Sequence, residues 1–132
     1  MVLELCMWGY MVDFPVWWDK TITHYKRLEN ANGEISYQIL EYSKCSFVSK
    51  TEQRIIGNDS KTVKVCIVRI PEKVNVKIND IIVLGTVEDE ISEYEPGQRS
   101  SDLLVKYDDS FIVDYVGDND LLPHTKVQGD RV

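Results

Sequence analysis

At 132 residues, 43% of them hydrophobic, the chain is sized for one domain that buries a core without help from metal or disulfides. Its net charge of −7 weighs against tight, static binding to duplex DNA. The three cysteines, Cys6, Cys45 and Cys66, form no Cys-x-x-Cys pair, so neither a zinc ribbon nor a redox motif is available.

The charge is unevenly spread. Residues 20–87 carry eleven Lys/Arg against seven Asp/Glu, while residues 88–120 carry eleven acids against two bases. Such a dipole suits head-to-tail contact between copies.

Residues 1–19 read as a hydrophobic N-terminal extension and residues 20–132 as a single β-rich domain. The opening run MVLELCMWGYMVDFPVWW has no basic start and no small-residue cleavage site, so it is not expected to be a signal peptide. Glu4, Asp13 and Pro15 interrupt it, which argues against a membrane span. Its large side chains need a surface to pack on, a neighbouring subunit or the domain itself. Trp8, Tyr10, Trp17 and Trp18 are therefore candidate interface residues.

From Thr21 to Leu28 the alternation is imperfect but the residues are β-formers, which predicts an edge or half-buried strand. Asn30-Ala31-Asn32-Gly33 then predicts a hairpin into a second strand over Glu34–Glu41. A third strand is expected over Lys44–Ile56, ending in the turn residues Gly57-Asn58-Asp59-Ser60. Thr62–Ile70 is the clearest strand, stopped by Pro71, and its Cys66 is expected to be a core thiol. Asn79-Asp80 reads as a turn before the apolar strand Ile81–Val87, with Gly85 at a bulge or close approach.

Glu88–Gln98 is a charged loop with a Pro96-Gly97 turn. A short helix follows to Tyr107, capped by Ser100 or Ser101, and it must dock on the sheet to persist. Ser110–Val116 is a strand, Gly117–Asp120 a turn, and Lys126–Gln128 an edge strand. The expected fold is all-β, a small barrel or sandwich of about seven short strands with one helix near residues 100–107.

Catalytic constellations are not legible. His24 and His124 stand far apart without ligand spacing and are assigned surface or interface roles. Acid pairs such as Asp108–Asp109 and Glu88–Glu90 could serve acid–base chemistry or calcium, but Gly117-Asp118-Asn119-Asp120 holds only a fragment of a calcium loop. No Gly-rich loop precedes a helix and no Gly-x-Ser-x-Gly is present. No metal, cofactor or enzymatic activity is expected. Lys61, Lys64, Lys73 and Lys77, with Tyr25 or Tyr37, could form a single-strand-binding patch, but they read more simply as the solvent-facing partners of alternating strands.

The order of these elements resembles the small minor capsid or head-closure (stopper) proteins of siphophage-type tailed bacteriophages that infect Firmicutes. The likeness rests on the strand Thr21–Tyr25 with its hairpin turn and the strand Val65–Pro71. It continues through Asn79–Gly85, the helix Ser101–Tyr107, the strand Phe111–Val116 with Asp118-Asn119, and His124–Gly129. It spans roughly residues 20–130 and departs from the family pattern in the extension before Thr21 and at Asn79, where Pro-Gly is more usual.

The resemblance implies a virion protein made in the bacterial cytoplasm, forming a homo-oligomeric ring in the phage neck. It would bridge the portal-adaptor side and the tail side, with transient contact to packaged double-stranded DNA. Candidate contacts are the acidic loop, through Glu88, Asp89, Glu90, Glu93 and Glu95, and next the turn holding Asn58, Asp59 and Lys61. The alternatives are a tail terminator or other neck component and a small nucleic-acid-binding barrel.

Overall fold

The structure, a computed structural model, describes residues 18–119 and 124–131. Seven antiparallel strands and one short helix make up the fold: β1 (Lys20–Glu29), β2 (Ile35–Ile56), β3 (Asp59–Ile70), β4 (Ile81–Leu84), α1 (Ser100–Lys106), β5 (Ser110–Ile112), β6 (Tyr115–Asn119) and β7 (His124–Arg131). They join in one sheet of order β5-β4-β1-β2-β3-β7-β6. The all-β expectation holds, including the position of the helix.

The two edge strands, β5 and β6, are consecutive in the chain. Ser110–Val116 was expected to be one strand, but it bends at Val113-Asp114. Val113 N–H donates to Asp80 O (2.8 Å), whereas Asp114 N–H donates to Gln128 O (2.9 Å). The segment thus leaves β4 and joins β7, and the sheet curls back on itself as a small barrel. β7 is consequently a central strand, paired with both β3 and β6, not the edge that Lys126–Gln128 suggested. Gly117–Asn119, read as a turn, continue β6 in register with β7.

The second and third expected strands are one long strand, β2. Its first half pairs with β1 and its second half with β3. Where the partner changes, the β1–β2 register slips between Lys20 and Ile22, and Lys44 adopts φ +56°. An extra residue at this bulge bends the strand without ending it, so the polar Ser43-Lys44 pair marks a corner of the barrel. At the far end Gly57 takes φ +64° in the two-residue turn between Ile56 and Asp59, the place where a hairpin favours glycine.

Two apolar layers flank β1 and β4. Inside the barrel lie Ile22, Cys45, Cys66, Val68, Ile70, Val76, Ile82, Phe111, Val113 and Val127. Outside, Tyr25, Ile81, Val83, Val87 and Leu103 form a second cluster, where α1 and the Glu88–Gln98 segment cover the sheet. A strand buried on both faces loses its polar alternation. That accounts for the imperfect pattern of β1 and the unbroken apolar run of β4.

Seven-residue α1 depends on its neighbours. The Glu93 carboxylate accepts from Ser100 N–H (2.6 Å) and Oγ–H (3.0 Å), and Asp102 accepts from Arg99 N–H (3.1 Å). These acids, rather than the hydroxyls of Ser100 or Ser101, satisfy the helix start. At the other end the Arg131 guanidinium donates to Leu104 O and to Ser110 O.

Candidate functional site

Inside the barrel, β1 places His24 in phase with Ile22, and both are fully buried. The connection between β3 and β4 sends Asp80 to meet it. His24 Nε2 and Asp80 Oδ2 are 2.8 Å apart, and His24 Nδ1 lies 3.3 Å from the Tyr42 hydroxyl, whose ring stacks on the imidazole. The network assigns the proton to Nε2, leaving Nδ1 as the acceptor. Asp80 also accepts from Arg27 N–H (3.0 Å) and Lys77 N–H (2.9 Å).

Burial alone would raise the Asp80 carboxyl, but the hydrogen bonds from His24, Lys77 and Arg27 outweigh it and hold the group below its usual range. With four hydrogen bonds counted along the Tyr42–His24–Asp80 chain and its backbone donors, this network ties β1, β2 and the β3–β4 connection together. Cys45 lies in the same interior, its thiol pushed up to about 12 by burial and by the charge of Glu72. A thiol in that range is an unreactive core group.

Both histidines were assigned surface or interface roles, and both are buried: His124 is 8% exposed and packs edge-on against Trp18, ring centroids 5.7 Å apart. Trp18, read as part of the extension, therefore belongs to the folded domain. Trp8, Tyr10 and Trp17 lie outside the described residues. Among the described residues no three His, Cys, Asp or Glu side chains are grouped to hold a metal ion, and no helix is long and apolar enough to cross a membrane.

The acidic Glu88–Gln98 segment is a strap, not a projecting loop. Thr23 Oγ donates to Gly85 O (2.7 Å) and accepts from Val87 N–H (3.0 Å), Tyr25 OH donates to Asp89 O (2.6 Å), and Ile35 N–H donates to Tyr94 OH (3.1 Å). Asp89 accepts from Lys106 (2.6 Å) and Tyr107 OH (3.2 Å). The Lys106 hydrogen bond, aided by Tyr107, holds its carboxyl below the usual range. Glu93 is consumed at the start of α1, so of the acids proposed for contact Glu88, Glu90 and Glu95 are the ones that stand exposed among the described residues.

Replacing Tyr25 with phenylalanine tests the strap. It leaves the Asp89 carbonyl without its donor, a loss of about 1–2 kcal/mol, with faster amide exchange over residues 86–98. Burial, then the charges of Asp89 and Tyr107, push the Tyr25 hydroxyl up to about 12. A raised phenol contributes fully below its unfolded value of about 10 and loses that contribution as pH climbs toward 12. Alkaline absorbance titration of the wild type against Tyr25→Phe reads this directly.

The proposed lysine patch is not assembled around stacking aromatics. Tyr25 is fully buried, Lys64 pairs with Asp109 (3.0 Å), and Lys61 sits out on the β2–β3 hairpin. That hairpin, from Val48 to Thr62, is the element standing clear of the barrel: almost every residue is exposed or half-exposed, Ile55 is 81% exposed, and Asn58, Asp59 and Lys61 are at or near its tip. Arg54, opposite Lys61 toward the outer end of the hairpin, reaches back to Asp130 of β7. The sequence ranks this arm second to the acidic segment as a contact candidate; of the two, the arm is the one that projects.

No curated protein and no solved structure matches the chain. A family model described as a family of unknown function matches residues 17–130, all seven strands and the helix short of Arg131. The chain belongs to that family, DUF6751.

Proposed function

We propose that the protein is a structural subunit of a tailed-phage neck, forming a ring that closes the head and joins the portal-adaptor side to the tail. The observation that carries this reading is the β2–β3 arm. A small barrel, pinned by internal hydrogen bonds, holds out a long, largely exposed hairpin with an isoleucine near its tip. Such an element can reach a neighbouring subunit or the channel while the barrel stays rigid. The order of sequence elements shared with head-closure proteins supports the same reading. So does the uneven charge, with the acidic strap on one part of the surface and the more basic β1–β3 region elsewhere. Acidic groups such as Glu88 and Glu90 would let DNA pass without adhering.

The test is genetic and structural. In a strain producing particles that encode this chain, deleting its gene is expected to yield filled heads that lack tails and leak DNA. Antibody raised against the chain is expected to label the head–tail junction of complete particles. Normal tailed particles from the deletion, or particles carrying no label, would overturn the proposal.

A further inference from the structure

The long strand β2 has an unequal pair of edges. β1 covers one edge only as far as Cys45, whereas β3 runs beside the other from Ser46 to Ile56. Along Ser46–Ile56, among the described residues, no strand pairs with the first edge. Val48 is 48% exposed and Ile55 81% exposed on this stretch. An open strand edge of this length, carrying apolar side chains and no proline, is a template for another strand.

The sequence of the edge is complementary to itself. Laid antiparallel to a second copy with Thr51 on the two-fold axis, Lys50 faces Glu52 of the other copy, and Glu52 faces its Lys50. Ser49 meets Gln53, Val48 meets the aliphatic stem of Arg54, and Phe47 meets Ile55. Opposite charges directly across a strand pair are favourable and like charges are not. The pairing also gives the exposed Ile55 an apolar neighbour: Phe47 is partly buried and continuous with the barrel core, its ring 6.2 Å from that of Phe111.

We infer that the β2 edge from Val48 to Ile55 is a two-fold dimer interface that takes the same edge of a second copy of this chain. A two-fold contact is closed and propagates no further. It is therefore distinct from the contact a ring requires, does not rest on the neck assignment, and fails or stands separately from it.

The test uses the full chain with Cys6 replaced by serine, Cys45 and Cys66 being buried. Mild oxidation of Thr51→Cys is expected to give a disulfide-linked dimer, because the axis brings the two copies of position 51 together. Sedimentation is expected to show a dimer for the wild type, weakened roughly tenfold by Lys50→Glu or by Glu52→Lys alone. The double variant Lys50→Glu with Glu52→Lys is expected to recover it, since the charges are again opposed. All these positions are exposed or half-exposed, and unchanged circular dichroism would show that each variant folds. A monomeric wild type without cross-linking at position 51 overturns the inference. So does a Thr51→Cys disulfide to Cys6 of the same chain in a second variant that keeps Cys6, which would give the edge to residues 1–17. Equal weakening by the single and double charge variants overturns it as well.

Discussion

Replacing Asp80 with alanine is expected to cost about 3–5 kcal/mol, because one substitution removes the acceptor of three hydrogen bonds at once. The substitution strips His24 of its partner and leaves the Arg27 and Lys77 N–H groups unsatisfied beneath the surface. For a domain whose whole stability is about 5–15 kcal/mol, that is a large share. It corresponds to a fall in melting temperature of roughly 10–20 °C.

The pH dependence has a defined direction. Because the folded Asp80 carboxyl lies below its unfolded value, its contribution is complete above about pH 4 and disappears as pH falls through the lower folded value. The gap between wild type and Asp80→Asn, followed by thermal melts from neutral pH downward, should stay constant until about pH 4 and then narrow. A melting temperature within a degree or two of wild type for Asp80→Ala would remove this network from the forces holding the barrel together.

Gly129→Ala is the second large effect, and its cause is steric. A Cβ at this position would lie 2.2 Å from Ile112 O and 2.3 Å from Phe111 Cδ2. The first of these is backbone and cannot swing aside, so β5 and β7 must separate where the sheet closes. Overpacking of this kind costs about 3 kcal/mol, at the upper end of its usual range. Gly117→Ala is the control: its closest neighbour would be the hydroxyl of Tyr115 at 2.7 Å, the far end of a half-exposed side chain. Denaturant midpoints should fall steeply for position 129 and little for position 117. Equal midpoints would mean that the barrel does not close between β5 and β7.

Local signals in the sequence were read where local geometry decided the outcome. Asn30 and Gly33 announce the first hairpin: the Asn30 carboxamide accepts from Asn32 and Glu34 N–H (both 2.9 Å) and Gly33 supplies φ +81°. Leu103 and Leu104 likewise mark a helix that can only exist docked. What escaped the reading depended on distant partners. Ser43-Lys44 and Val113-Asp114 look like ordinary polar and mixed pairs, yet each marks the point where a strand exchanges one neighbour for another.

Asp80 looks like half of a turn, because Asn-Asp is common in turns. Its partner His24 is 56 residues away, outside the reach of any local pattern. The one hint was that His24 shares a strand face with Ile22, an inward position. The fastening of the acidic strap is hidden from the sequence for a related reason. Its charges are visible in the sequence, whereas the hydroxyls of Thr23 and Tyr25 that fasten it are recognised only once the strap is seen lying over them.

The crossing of the chain from β4 to β7 at Val113-Asp114 also governs when the molecule can form. Strand β7 supplies the seat for β6 and carries Gly129, and it follows the other described strands in chain order. The β1–β2 and β2–β3 hairpins can assemble during synthesis, but the barrel has no final wall until residues 124–131 have emerged. Closure therefore falls after translation of nearly the whole domain. The nascent protein must shelter a half-built apolar interior through that interval, the stage at which chaperone capture or misassociation competes with folding.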